Sequence, residues 1–211
     1  MKSHWVKSFV RGVLEREKTM NKGVVLPQVT FQTRVRNDDL TKSGAENPFE
    51  WRSVSSSFLF GSKDLRKRVV VFSLPGAFTP TCSTYQLPDF EKLAADGEFD
   101  KYGIDDIYCV SVNDSFVMNC WAKDQKLEHV KVVPDGSGEF TRKMGMLVDK
   151  DNLGFGYRSW RYAMIVKDGV VEAWLPEPGF RDLAGDDPYG ESSPQNVLKV
   201  LESLEPAVAP V

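Results

Sequence analysis

Apolar and polar positions alternate from Val29 to Arg36, with Val29, Phe31, Thr33 and Val35 on one side, the mark of a strand. The polar, turn-rich stretch Asp38–Pro48 predicts a loop, and Trp51–Phe60 a returning strand. Val69-Val70-Val71-Phe72-Ser73-Leu74 is a continuous, β-branched run, which predicts a central strand buried on both faces and stopped by Pro75 and Gly76. Thr81–Ala95 then reads as a helix with Leu87, Phe90, Leu93 and Ala94 on one side. Asp106–Val112 is a second buried strand, and Asn113-Asp114-Ser115 can cap a helix over Phe116–Lys126. Val130–Val133 is a strand ended by Pro134-Asp135-Gly136, and Phe140–Met146 a short helix. Tyr162–Val166 and Val170–Leu175 flank Lys167-Asp168-Gly169, and the Asp-Gly pair predicts a β-hairpin. Gly179–Ser193 is a long polar loop, and Ser193–Leu204 a closing helix carrying Val197, Leu198, Val200, Leu201 and Leu204. This order predicts an α/β fold with a mixed central β-sheet flanked by helices on both faces.

At 211 residues, with no repeat or break in composition, the chain reads as one domain. We place it at residues 24–205, between an extension (1–23) and a tail (206–211). In the extension Trp5, Phe9, Val10 and Val13 lie at helical spacing among basic residues, predicting a short amphipathic helix. Its apolar part is too short and interrupted for a secretory signal. A mitochondrial-type presequence is opposed by Glu15 and Glu17, and Met20 offers an alternative start.

Apolar residues make up 41% of the chain, enough for a buried core. Lys plus Arg total 27 against 30 Asp plus Glu, a net charge of −3 that argues against a nucleic-acid binder. Mean hydropathy is −0.33, and no uncharged apolar run is long enough to span a bilayer. The three cysteines, Cys82, Cys109 and Cys120, form no C-x-x-C, and with only His4 and His129 available a metal site has little to stand on. A reducing, cytoplasmic setting fits best, with at least one reactive thiol.

The chemistry concentrates in Ser73-Leu74-Pro75-Gly76-Ala77-Phe78-Thr79-Pro80-Thr81-Cys82. A buried strand ends, a turn stiffened by two prolines follows, and a helix begins near the cysteine. Backbone N–H groups and the positive end of the helix dipole then face the sulfur and favour thiolate. Open α/β sheets bind ligands at such strand ends. Thr79, three residues before Cys82, brings a hydroxyl to the same pocket. The plainer alternative, a small buried cysteine at a helix start, is left open by these residues alone.

The pattern Pro75-x-x-x-Thr79-x-x-Cys82 resembles the active-site motif of the peroxiredoxins, and Pro-Gly-Ala-Phe-Thr-Pro-Thr-Cys-Ser resembles their type II, peroxiredoxin-five-like subfamily. Ser111–Met118, Pro134-Asp135-Gly136 with Gly138-Glu139-Phe140, and Arg158–Met164 extend the resemblance over residues 24–205. It implies a thioredoxin-like fold and thiol-dependent reduction of hydrogen peroxide and organic hydroperoxides, with no bound cofactor. By the same resemblance Cys82 is the peroxidatic cysteine that becomes a sulfenic acid. Thr79 is the hydroxyl that bonds the peroxide and the thiolate, Pro75 shields the pocket from water, and Arg161 holds the thiolate and polarises the peroxide. A permanently charged, planar arginine suits that task. Arg158 reads as solvated, Trp160 as packing, and the loop before Ser193 as a segment able to cover the site.

The route back from sulfenic acid is less legible. Some relatives use a second cysteine toward the C-terminus, but residues 177–193 contain none. Cys109 is the candidate resolving residue, set against the simpler reading that it packs inside a strand; Cys120 reads as packing or an incidental thiol. If neither resolves Cys82, the resemblance implies glutathione, with or without a glutaredoxin in trans, with thioredoxin as runner-up. It also implies a homodimer through the face near the active-site loop. Two other functions share the Cys82 pocket: a peroxide sensor that relays oxidation to a partner, and a non-catalytic thioredoxin-like binding module.

Overall fold

The computed structural model describes residues 20–44 and 46–204. The amphipathic pattern of residues 1–19 and the tail from residue 206 lie outside the described residues. The chain runs through β1 (Thr30–Arg36), α1 (Asp38–Lys42), β2 (Phe49–Ser55), α2 (Ser56–Phe60) and β3 (Arg68–Ser73). A π-helical turn, Cys82–Gln86, leads into α3 (Leu87–Ala95), followed by β4 (Asp106–Ser111), α4 (Ser115–Asp124), β5 (Val130–Pro134) and α5 (Glu139–Lys143). Then come β6 (Leu147–Asp149), β7 (Tyr157–Ser159), β8 (Tyr162–Lys167), β9 (Val170–Pro176) and α6 (Pro194–Leu204).

The central sheet has five strands in the order β5-β4-β3-β8-β9. β3 and β4 are parallel, as are β4 and β5, while β8 runs antiparallel to both β3 and β9. The expected mixed sheet, flanked by helices, is therefore present. The run Val69–Phe72 is completely buried because β3 is the middle strand. Side chains alternate across a strand, so Val69 and Val71 join one core with Phe31, Phe60, Tyr108 and Phe140. Val70 and Phe72 join the other, with Cys82, Leu87, Phe90, Cys109, Trp121 and Leu201. There the rings of Phe72 and Phe90 stack with centroids 4.0 Å apart, clamping α3 to the sheet just beyond Cys82.

Local chemistry explains most differences from the sequence reading. The strand expected over Trp51–Phe60 stops at Ser55, because the Ser55 hydroxyl accepts from Phe58 N at 3.2 Å and starts α2. Asn37 Oδ1 likewise accepts from Asp39 N at 3.1 Å and turns part of the expected loop into α1. The small β6–β7 sheet went unread because each strand has only three residues. The Asp168-Gly169 hairpin forms as expected, with both residues at positive φ, 53° and 79°. Gly169 is also sterically required, since a Cβ there would lie 2.7 Å from the Gly61 carbonyl oxygen.

Candidate active site

The site begins where β3 ends. Asn113 Oδ1 accepts from Ala77 N at 3.0 Å and from the Ser111 hydroxyl at 2.7 Å, tying the Pro75–Thr79 turn to the end of β4. Phe78 is held at φ 62°, a left-handed conformation uncommon for a non-glycine residue, and the turn around it supplies the restraint. The Thr79 hydroxyl donates to Gly76 O at 2.8 Å. Pro80 opens the helix at a position where a missing N–H costs nothing.

Cys82 follows, in the first turn, completely buried. The next turn is π-helical, with Leu87 N donating to Cys82 O. The Trp121 indole fixes the helix start from α4, donating to Ser83 Oγ at 3.0 Å.

Arg161 leads β8 and is buried, 1% exposed. Its Nη1 donates to Cys82 Sγ at 3.6 Å and also to Gln86 Oε1. Its Nη2 pairs with Asp187 Oδ1 at 2.5 Å, and the guanidinium lies 5.8 Å from the Tyr189 ring centroid. Nε is buried and has no hydrogen-bond partner among the described residues. Burial works against the charge on Arg161, but Cys82 and Asp187 outweigh it and hold the guanidinium charged more firmly than usual.

The polar loop after β9 covers this cluster. Arg161 O accepts from Glu177 N at 3.0 Å, and the Trp160 indole donates to Glu177 O at 2.8 Å. Glu177 Oε1 gathers Gly190 N and Ser192 N, each at 2.8 Å, and the Ser192 hydroxyl at 2.7 Å. Lys150 is buried, donates to Ala184 O at 2.9 Å and lies 5.2 Å from the Trp160 ring. Burial pushes its ammonium below the ordinary lysine value, partly countered by Asp187 and Asp186. A pocket of about 220 Å³ opens beside the cluster, walled by Pro75, Thr79, Pro80, Lys150, Phe155 and Asp187. Its lining is mostly apolar, with Thr79, Lys150 and Asp187 among its polar groups, and Asp187 links it to the buried Arg161 guanidinium.

Of the residues singled out from sequence, Pro75 and Thr79 line the pocket, while Cys82 and Arg161 meet each other in the interior, Arg161 reaching the pocket through Asp187. Cys109 shares the core of Cys82 but belongs to β4. It sits mid-β4, opposite Phe72 on β3 and Val132 on β5, fully buried. Burial foremost, reinforced by Cys82, pushes its thiol well above the ordinary value. Cys120 is exposed on α4. Arg158 is not the solvated residue expected: half-buried, it donates to Val112 O at 2.6 Å and Phe155 O at 3.0 Å, bracing the turn. Sequence reading missed Gln86, Glu177, Asp187 and Ser192. Gln86 carried a signal, lying four residues after Cys82 on one helical face; the other three come from a loop whose path no local pattern sets.

Residues 60–178 match the Redoxin family model. A peroxiredoxin of Rhizobium etli is 60% identical over 88% of this chain and 97% of its own length. The antioxidant protein of Plasmodium falciparum, a 1-Cys peroxiredoxin, superposes with a TM-score of 0.74 at 32% identity, covering 87% of this chain and 99% of its own. The reduced Prx3 of Vibrio vulnificus in complex with hydrogen peroxide gives a TM-score of 0.69 at 34% identity, covering 87% and 97%. The chain therefore belongs to the peroxiredoxin family, thiol-dependent peroxidases that need no prosthetic group and draw their electrons from a thiol reductant.

Proposed function

We propose that Cys82 is the peroxidatic residue, acting as a one-cysteine enzyme that an external thiol regenerates. The contact that carries this reading is Arg161 Nη1 on Cys82 Sγ at 3.6 Å, beside a pocket walled by Pro75 and Thr79. The Cys82 thiolate attacks one oxygen of the hydroperoxide in line with the O–O bond. That bond breaks heterolytically, the sulfur loses two electrons and becomes a sulfenic acid, and the leaving oxygen takes a proton to become water or an alcohol. Arg161 stabilises the charge that builds on the leaving oxygen, and its Nε, without a hydrogen-bond partner among the described residues, is a donor for an oxygen. The Thr79 hydroxyl already donates to Gly76 O, so toward the pocket it offers an acceptor for the peroxide O–H. Pro75 adds an apolar wall with no N–H to draw in water.

The one-cysteine reading is supported by the surroundings of Cys109, fully buried in the middle of β4 with its thiol pushed well above the ordinary value by burial. The first reductant thiol forms a mixed disulfide with Cys82 and releases water; a second restores Cys82 and leaves the reductant as a disulfide. We assign that role to glutathione, with or without a glutaredoxin, ahead of thioredoxin, and the setting to the cytosol. Phe78, Tyr85 and Phe116 are large apolar side chains exposed beside the site loop, and their exposure supports a homodimer through that face.

Intact mass after one equivalent of hydrogen peroxide, with and without a sulfenic-acid trap, tests the reading. A trapped oxygen adduct at Cys82 supports it. A Cys82–Cys109 disulfide would make the enzyme internally resolved, and no reaction would leave an inert thioredoxin-like module.

A further inference from the structure

We propose that Gln86 is a positioning residue for the peroxidase reaction: its side-chain oxygen aims the Arg161 N–H that meets Cys82, and a one-way hydrogen-bond chain from Glu177 through Ser192 sets the direction of its amide. This inference rests on the reading of Cys82 and Arg161 given above.

Gln86 closes the π-helical turn that Cys82 opens, and it is completely buried. Its Oε1 accepts from Arg161 Nη1, the same nitrogen that lies 3.6 Å from Cys82 Sγ. That nitrogen carries two hydrogens in the plane of a rigid fork. Once one of them is committed to Gln86, the direction of the other is fixed, and it points to the sulfur. The contact does not duplicate the Asp187 pairing, which engages Nη2.

A glutamine amide has two ends, and the wrong one would set an NH₂ group against the guanidinium. The polarity traces back to Glu177. Its Oε1 already accepts from Gly190 N and Ser192 N, and the Ser192 hydroxyl donates to it at 2.7 Å. The Ser192 oxygen is then left only as an acceptor toward Gln86, and it receives Gln86 Nε2 at 3.3 Å. The amide must therefore present NH₂ to Ser192 and its oxygen to Arg161. Glu177 and Ser192 are themselves buried, so water does not compete for these bonds. Glu177 N also donates to Arg161 O at 3.0 Å, so both ends of the chain are tied to the residue it aims.

The test uses the full chain and two reactions of the same sulfur: oxidation by hydrogen peroxide, which needs the aimed donor, and alkylation by iodoacetamide, which does not. Gln86→Met keeps the length of the side chain and removes both hydrogen bonds. We expect its peroxide rate, divided by its alkylation rate, to fall about tenfold, the cost of a misplaced transition-state donor. Ser192→Ala should lower the ratio less, and its effect should vanish in the Gln86→Met background, because both changes act through one chain. An unchanged ratio in Gln86→Met would overturn the proposal. So would a Ser192→Ala loss that persists undiminished in the double variant, or a rise in alkylation alone that accounts for the fall in the ratio, the sign of an exposed, loosened turn. Failure of the parent Cys82 to react with peroxide would instead sink the peroxidase reading itself.

Discussion

Arg161 and Asp187 are paired at 2.5 Å, although the first leads a central strand and the second lies in the covering loop. The pair divides the charge of one guanidinium between a carboxylate and the Cys82 sulfur, which Nη1 reaches at 3.6 Å. The loop does not depend on this contact alone. Arg181 holds Asp186 at 2.7 Å, Asn152 donates to Leu183 O at 3.1 Å, and Leu183 N donates to Asp149 O at 2.8 Å. The covering loop thus has anchors apart from the Arg161–Asp187 pair.

Asp187→Asn removes a negative charge while keeping an oxygen that accepts from Arg161. The guanidinium is then freer to stabilise the sulfur and the departing oxygen. Oxidation of Cys82 by hydrogen peroxide should quicken by about twofold to tenfold, read by rapid-quench mass spectrometry. A slower variant would show that Asp187 places Arg161 and does not attenuate it.

Arg161→Lys keeps the charge but loses the fork. A lysine ammonium is a point donor and cannot serve Cys82, Gln86 and Asp187 in one plane. Peroxide oxidation should fall by about a hundredfold in Arg161→Lys and further in Arg161→Ala, with circular dichroism unchanged. Near-parental rates in Arg161→Lys would reduce the role of Arg161 to charge alone.

The sequence made the Cys82 side of this site legible because its parts are contiguous. The run Val69–Leu74, the Pro75-Gly76 stop and the helix onset lie within one short stretch, and each follows from local rules. Arg161 entered only through the family resemblance; no periodicity marks it, since its side-chain partners come from two distant segments, the Cys82–Gln86 turn and the covering loop. Gln86, Glu177, Asp187 and Ser192 meet only after the chain has crossed β9 and folded back. The middle of the sheet read correctly because Val69–Phe72 is apolar on both faces. The Ser55 cap and the three-residue β6 and β7 strands did not read, because a single hydrogen bond or register match decides them.

Asp106 supplies a pH dependence of stability. Burial alone would raise its carboxyl, but hydrogen bonds from Lys131, Tyr108 and Lys67 outweigh burial and hold it below the ordinary aspartate value. A lowered folded-state value means that the unfolded chain binds the proton more readily. The contribution is therefore complete above the unfolded value near 3.8 and is lost as pH falls through the lower folded value. Asp106→Asn should lower the melting temperature at pH 7 and flatten its fall in acid. Parallel melting curves for the two proteins across that range would remove Asp106 from acid stability.

Cys109 separates packing from chemistry. It is fully buried in β4, within the core that also takes Cys82 and Phe72. Forming a bond to Cys82 would require a thiolate that burial disfavours. Replacing it with alanine removes only the sulfur and leaves a small cavity. Cys109→Ala should thus lose about 1 kcal/mol of stability, measured by urea unfolding. Its turnover with hydrogen peroxide and glutathione should stay at the parental rate, because the external thiol attacks Cys82 and not Cys109. A resolving role predicts the opposite pair of results. Turnover would then drop by orders of magnitude, and the sulfenic acid would persist in the variant where the parent forms a disulfide. The two readouts are independent, so a stability loss alone assigns Cys109 to the core, whereas a turnover loss in a folded protein assigns it to catalysis.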